Sequence, residues 1–159
     1  MILGLSWTLG VIVADQLSKY VVLHWVLGQS SGFRIFDFFN VVRAWNTGVS
    51  FSMLNDYGRT GMWVLIIMAL LIVAMLFYWL KNEKDKVTQV ALGLIMGGAL
   101  GNVIDRVIYG AVFDFLDFHI GDTHWPAFNV ADSCICIGAV IIVLQSICAQ
   151  FSNKENRNA

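Results

Sequence analysis

Residues 61–80, GMWVLIIMALLIVAMLFYWL, run for 20 residues without one charged side chain. A bilayer core about 30 Å thick is crossed by roughly 20 apolar residues of α-helix, so this stretch predicts a membrane-spanning helix. The whole chain agrees with that prediction, because 58% of its 159 residues are apolar, 13% are charged and the mean hydropathy is +0.70. Soluble domains are about one quarter charged, which excludes an ordinary soluble globule. The net charge of −1 also excludes a basic surface for nucleic acid.

Three further apolar stretches predict membrane helices, which gives spans at about 4–27, 61–80, 87–107 and 131–151. The first stretch contains Asp15 and Lys19, which lie four residues apart and therefore on one helix face, where they can form an ion pair. No basic residue precedes its apolar run, so we interpret it as a retained helix and not as a cleaved signal sequence. The sequence therefore predicts an all-α polytopic membrane protein with four transmembrane helices in a single membrane-embedded domain, residues 1–159.

The basic residues predict the orientation of these helices. Three Lys occupy the connection at 81–86, and Lys154 and Arg157 follow the last span, whereas the connection at 108–130 has no Lys or Arg. Because cytoplasmic segments are enriched in Lys and Arg, both termini are predicted to be cytoplasmic, with outer loops at 28–60 and 108–130. The partial alternation of apolar residues at 33–39 predicts a short β-containing subregion in the first outer loop, with a surface loop or helix beside it.

Polar side chains lie at the outer ends of the predicted spans. Asn102, Asp105 and Arg106 share one helix face at the end of the third span, and Asp132 opens the fourth. Asp114 lies between Phe113 and Phe115 in the intervening loop. Charges inside spans cost about 2.5 to 3.5 kcal/mol each at mid-helix, so such residues are functional candidates.

Two interpretations of Asn129 and Asp132 remain open. An Asn followed three residues later by an acid resembles a helix capping box. The alternative is a catalytic pair, because Asp114 and Asp132 in one desolvated site would repel, so that one holds a proton and the other ionises. Aspartic hydrolases use such a pair to activate water. The positive end of a helix dipole favours the ionised form of Asp132, and the flanking Phe rings favour the protonated form of Asp114.

Competing chemistries have little support. The chain contains no G-x-S-x-G, H-E-x-x-H or C-x-x-C motif, and the spacing of His119 and His124 matches no strong metal-site pattern, so no metal or cofactor is predicted. A rival hypothesis is a small non-enzymatic transporter or channel subunit that uses the Asp15–Lys19 pair. Most charges lie at one membrane face, which disfavours it. A strip of Gly93, Gly97 and Gly101 predicts close helix packing, either within the chain or between two copies.

Five motifs in order resemble the bacterial lipoprotein signal peptidases, also called type II signal peptidases. They are DQLSK at 15–19, NTG at 46–48, GGALGNVIDR at 97–106, VFDF at 112–115 and FNVADS at 128–133. The resemblance implies an aspartic endopeptidase of the bacterial inner membrane, with its active site at the outer face. Its substrates would be prolipoproteins whose lipobox Cys carries diacylglycerol, and cleavage would fall just before that Cys.

The same resemblance assigns roles to individual residues. It implies that Asp114 and Asp132 are catalytic and that Asp15 and Lys19 are a supporting pair. It also implies a groove that binds substrate and the cyclic peptide antibiotic globomycin, lined by Asn46, Gly48, Asn102, Arg106 and Asn129. Its expected partners are prolipoproteins and membrane lipids, the expected state is a monomer, and no cofactor or metal is implied. The chain departs from the family pattern at Val49 and Ser50, where small residues are expected.

Overall fold

The computed structural model describes residues 1–48 and 58–158. Four long helices occupy the predicted apolar stretches. Their ends lie within a few residues of the predicted bounds, except that the last helix continues beyond its predicted end. They are α1 (Ile2–Val21, continued by a π-helical turn over Val22–Val26), α2 (Gly58–Asn82), α3 (Lys86–Tyr109) and α4 (Val130–Asn158).

Among the residues that the structure describes, three of these helices are long and apolar enough to cross a membrane. They are Arg59–Asn82, Lys86–Tyr109 and Val130–Cys148. Helix α1 is not among them, because Asp15, Gln16 and Lys19 lower its mean hydropathy. By length and composition alone the described chain thus has three candidate spans where the sequence predicted four.

Helix α3 packs closely against α1 through the glycine strip. A Cβ atom added at Gly97 would lie 2.6 Å from the Val11 Cβ and 2.8 Å from the Thr8 carbonyl oxygen, and one added at Gly93 would collide with the Gly4 carbonyl oxygen. Only glycine permits this approach of two backbones. The strip therefore packs helices within the chain, as the first of the two predicted alternatives requires.

A small antiparallel sheet lies at one end of the helices. Its strands, in the spatial order β1-β2-β3-β4, are β1 (Gly32–Phe36), β2 (Phe39–Asn46), β3 (Val112–Ile120) and β4 (Thr123–His124). The β-containing subregion predicted in the first outer loop is confirmed as β1 and β2. Residues 112–120 of the second outer loop, for which no strand was predicted, form the longest strand of the sheet. Of the surface loop or helix predicted beside the β-containing subregion, residues 28–48 contain no helix, and residues 49–57 lie outside the described part.

The turn from α3 into β3 positions the sheet over the helices. Gly110 follows the last residue of α3 with φ +78°, a left-handed conformation that glycine adopts at little cost. Strand β3 then buries Phe113 and Phe115 against Leu27 and Val41. This apolar cluster fixes β3 against the end of α1 and against β2, and Asp114 lies on β3 between the two Phe residues.

Candidate active site

A reciprocal pair of hydrogen bonds caps the N-terminus of α4. The Asp132 backbone N–H donates to Asn129 Oδ1 at 2.9 Å, and the Asn129 backbone N–H donates to Asp132 Oδ2 at 3.3 Å. This is the geometry of a capping box, in which the capping residue and the third residue of the helix each satisfy a backbone N–H of the other. The capping interpretation of Asn129 and Asp132 is therefore confirmed.

Asp114 is held by two carboxamides from two other elements. Asn129 Nδ2 donates to Asp114 Oδ1 at 2.6 Å, and Asn46 Nδ2, from the end of β2, donates to Asp114 Oδ2 at 3.3 Å. Asp114 is 3% exposed. Strand β2, strand β3 and the start of α4 thus meet at this carboxyl group, although they are far apart in the sequence.

Asp132 is held from α3 by Asn102. Asn102 Nδ2 donates to Asp132 Oδ1 at 2.8 Å, while Asn102 Oδ1 accepts one hydrogen bond from Lys19 Nζ and one from Asn129 Nδ2, each at 3.2 Å. Because two donors point at its oxygen, the Asn102 carboxamide must present its NH₂ group to Asp132. Lys19 is therefore linked to Asp132 through Asn102.

A buried ion cluster lies behind these residues. Lys19 Nζ is 2.8 Å from Asp15 Oδ2 and 2.8 Å from Asp105 Oδ2, which confirms the predicted Asp15–Lys19 pair, and all three side chains are almost fully buried. Asp15 Oδ1 accepts the Ala131 backbone N–H at 2.9 Å, and Asp105 Oδ2 accepts the Phe113 backbone N–H at 3.0 Å. The cluster thus joins α1 and α3 to the residues immediately before Asp114 and Asp132.

Arg106 connects α3 to the end of β2. Its Nη2 donates to the Gly48 carbonyl oxygen at 3.2 Å, and its Nη1 donates to the Asn102 carbonyl oxygen at 3.3 Å. The Gly48 backbone N–H donates in turn to Asn46 Oδ1 at 3.1 Å, so Arg106 also fixes the carboxamide that binds Asp114. The departure at Val49 and Ser50 lies outside the described residues.

Burial changes the acidity of Asp114. The pKa of Asp114 is raised to about 7. Loss of solvent is the largest cause and the negative charge of Asp132 is the second, while the hydrogen bonds from Asn46 and Asn129 oppose this rise only in part. A carboxyl group with such a pKa keeps its proton in neutral solution for part of the time. It can therefore act as an acid beside an ionised second carboxylate.

The structure adds Gln16 to the residues that sequence reasoning singled out. Its Nε2 donates to Asp105 Oδ1 at 2.8 Å and also contacts Asp15 Oδ2 and the Gly101 carbonyl oxygen, each at 3.2 Å. Its place beside Asp15, within the DQLSK motif, was the available signal.

The nine predicted site residues converge on one region. The contacts described above join Asp15, Lys19, Asn46, Gly48, Asn102, Arg106, Asp114, Asn129 and Asp132.

The helices and the site together define a polytopic membrane protein with two carboxyl groups, buried Asp114 and half-buried Asp132, at one end of its helical bundle. Residues 7–148 match the signal peptidase (SPase) II family, and the chain belongs to that family. It is therefore a bacterial membrane protein and a signal peptidase II protease, which sets aside the transporter alternative.

Relatives and solved structures agree with this assignment. The chain is 41% identical over 155 residues to a lipoprotein signal peptidase of Vibrio cholerae, covering 94% of this chain and 91% of the relative. It is 46% identical over 138 residues to a lipoprotein signal peptidase of Paraburkholderia phymatum, covering 86% and 82%. A solved bacterial membrane enzyme superposes with a TM-score of 0.80 at 31% identity, over 95% of this chain and 90% of that one.

Proposed function

We propose that the chain is an intramembrane aspartic endopeptidase that removes signal peptides from diacylglyceryl-modified prolipoproteins, cleaving before the lipidated Cys. The observation that carries the proposal is the arrangement around Asn129. Its carboxamide bonds Asp114 at 2.6 Å through nitrogen and the Asp132 backbone at 2.9 Å through oxygen. The Asn129 backbone N–H also donates to Asp132 Oδ2 at 3.3 Å, so this one residue binds both carboxyl groups. The names of the relatives supply the substrate class.

The two carboxyl groups take different parts in the reaction. Asp132 accepts a proton from the attacking water, while protonated Asp114 gives its proton to the carbonyl oxygen of the scissile amide. When the tetrahedral intermediate collapses, the roles reverse and the leaving nitrogen receives a proton. The raised pKa of Asp114, caused first by burial and then by the Asp132 charge, supports its assignment as the initial acid.

The neighbouring polar residues form the substrate groove. Asn46, Gly48, Asn102, Arg106 and Asn129 line it and also bind globomycin, while Asp15 and Lys19 support it from behind. The hydrogen bond from Arg106 to the Gly48 carbonyl oxygen supports this assignment, because it keeps the backbone beside Asn46 at a fixed distance from α3.

In this proposal, helix α1 is the fourth membrane span and both termini are cytoplasmic. The site lies at the outer face, and the protein acts as a monomer. Two features of α1 support its insertion. Asp15 and Lys19 are buried and paired, so their charge does not face lipid. Most of its outward side chains are apolar, with Ile2 79% and Leu9 64% exposed. The aromatic side chains of the sheet suit the headgroup layer.

A cleavage assay tests the proposed substrate class. Purified protein in lipid is given a prolipoprotein carrying diacylglycerol on its lipobox Cys and, in parallel, the same precursor without lipid. We expect cleavage of the lipidated precursor alone, a mature product that begins at the modified Cys, and inhibition by globomycin. Equal cleavage of both precursors, or cleavage at another bond, would contradict the proposal.

A further inference from the structure

Asp117 forms a second polar cluster, on β3 and separate from the carboxylate pair. Asn40 Nδ2 on β2 donates to Asp117 Oδ2 at 2.8 Å, and His124 Nδ1 on β4 lies 2.8 Å from Asp117 Oδ1. Asp117 is 6% exposed. The buried carboxylate of Asp117 on β3 therefore contacts side chains from both neighbouring strands, β2 and β4.

We propose that Asp117 is a positioning residue of the peptidase: it fixes the register of β3 between β2 and β4, and thereby the place of the Asp114 carboxyl group. This inference rests on the proposed function. It is carried by the geometry of the strands, since Asn40 lies directly opposite Asp117 and Ala44 lies directly opposite Asp114 in the same pair of strands.

The register of these strands needs such a contact because their pairing is irregular. It shifts between Val41 and Ala44, which is the stretch that separates the Asp117 pair from the Asp114 pair. Slipping a strand by one residue turns each side chain to the opposite face of a sheet. In β3, a slip would move Asp114 away from Asn46 and Asn129.

The same register also sets the distance from Asp114 to α4. Leu116, the neighbour of Asp117, exchanges backbone hydrogen bonds with Phe128 at 2.9 and 3.0 Å. Phe128 directly precedes Asn129, the cap of α4. A fixed Asp117 therefore holds Leu116 against Phe128, and Asp114 within reach of the Asn129 carboxamide.

The charge of Asp117 makes a slip costly. Burial alone would raise its pKa, but the hydrogen bonds from Asn40 and His124 outweigh burial and leave the pKa of Asp117 below its ordinary value. The group is thus a carboxylate in neutral solution. A register that separated it from its two donors would leave a buried charge without hydrogen bonds, which costs more than losing a neutral bond. His119 stacks on His124 with ring centroids 4.7 Å apart and holds that donor in place.

Exchanging the two cross-strand partners tests the inference. Asn40→Asp places two carboxylates opposite each other and breaks the contact, whereas the double variant Asn40→Asp, Asp117→Asn restores it with donor and acceptor exchanged. The matched control is Asp122→Asn, which removes an exposed carboxylate from the turn between β3 and β4. The readouts are kcat and KM on lipidated precursor, the pH profile, and hydrogen–deuterium exchange of residues 112–120.

We expect Asn40→Asp to lower kcat about tenfold, which matches the loss of one hydrogen bond to a charged group, with little change in KM. Exchange in residues 112–120 should rise while exchange in α2 and α3 stays unchanged. The double variant should recover kcat to within about twofold, with the wild-type pH profile, because the recovered bond restores the position of Asp114. Wild-type kcat in Asn40→Asp, or a double variant as slow as Asn40→Asp, would overturn the inference. Failure of the proposed function would show differently, as absence of cleavage by the wild-type protein, and the exchange measurement would still test the register.

Discussion

Asn129 Nδ2 lies 2.6 Å from Asp114 Oδ1, and the other end of the same carboxamide caps α4. Because Asn129 Oδ1 already accepts the Asp132 N–H, the carboxamide cannot rotate without losing the cap. The end that faces Asp114 must therefore be the donor. One side chain thus caps α4 and binds the carboxyl group of Asp114, which we propose to be catalytic.

Replacing Asn129 by Ser separates these two roles. Serine is also a good capping residue, so the thermal unfolding temperature should stay close to that of the wild type. Its hydroxyl is too short to bind the Asp132 N–H and also replace the Nδ2 donor, so kcat should fall about tenfold or more. Asn129→Ala, which removes both contacts, should lower kcat and the unfolding temperature together. A Ser variant with wild-type kcat would show that the bond to Asp114 is dispensable.

The pH dependence of cleavage reports on Asp114. With a pKa of about 7, Asp114 loses its proton as the pH rises past that value. As the initial acid it must be protonated, so kcat/KM should decline above pH 7, by about tenfold per pH unit once ionisation is complete. A profile that stays flat to pH 9 would remove Asp114 from this role.

Asn46→Ala should move that decline to higher pH. Asn46 donates to Asp114 Oδ2 and so favours the ionised form, which means that its removal raises the pKa of Asp114 further. The comparison is the midpoint of the alkaline limb in Asn46→Ala, in wild type and in the Asp122→Asn control. A midpoint that moves to lower pH, or does not move, would contradict the assigned hydrogen bond.

Two glycines test the packing of α1 on α3. Gly97→Ala would place a Cβ 2.8 Å from the Thr8 carbonyl oxygen, a backbone atom that cannot move aside alone, and should lower the unfolding temperature. Gly10→Ala is the matched control, since a Cβ there meets nothing within 4 Å. It should be neutral or stabilise α1 by up to about 1 kcal/mol through helix propensity. Equal unfolding temperatures for the two variants would contradict the close approach of the helices.

The sequence predicted those features that depend on neighbouring residues. Apolar runs located the helices, and a spacing of four residues identified the Asp15–Lys19 pair. Strand β3 was missed because Asp114 and Asp117 interrupt its apolar pattern, and its partner β2 lies about 70 residues earlier in the chain. The hydrogen bond from the Ala131 N–H to Asp15 joins residues 116 positions apart, and no local pattern indicates it. The same reason explains why Asn40 and Asp117 emerged only from the folded sheet.

The proposed catalytic pair is tested most directly by cleavage of lipidated precursor by purified Asp114→Asn and Asp132→Asn variants, beside wild type and the Asp122→Asn control. Each asparagine keeps the size of the side chain but can neither take up nor release the proton that the reaction needs. We predict no detectable product from either variant, with wild-type rates from the control and unchanged helical content in all proteins. Near-normal cleavage by either variant would exclude that residue from the pair and contradict an aspartic mechanism that uses both carboxyl groups.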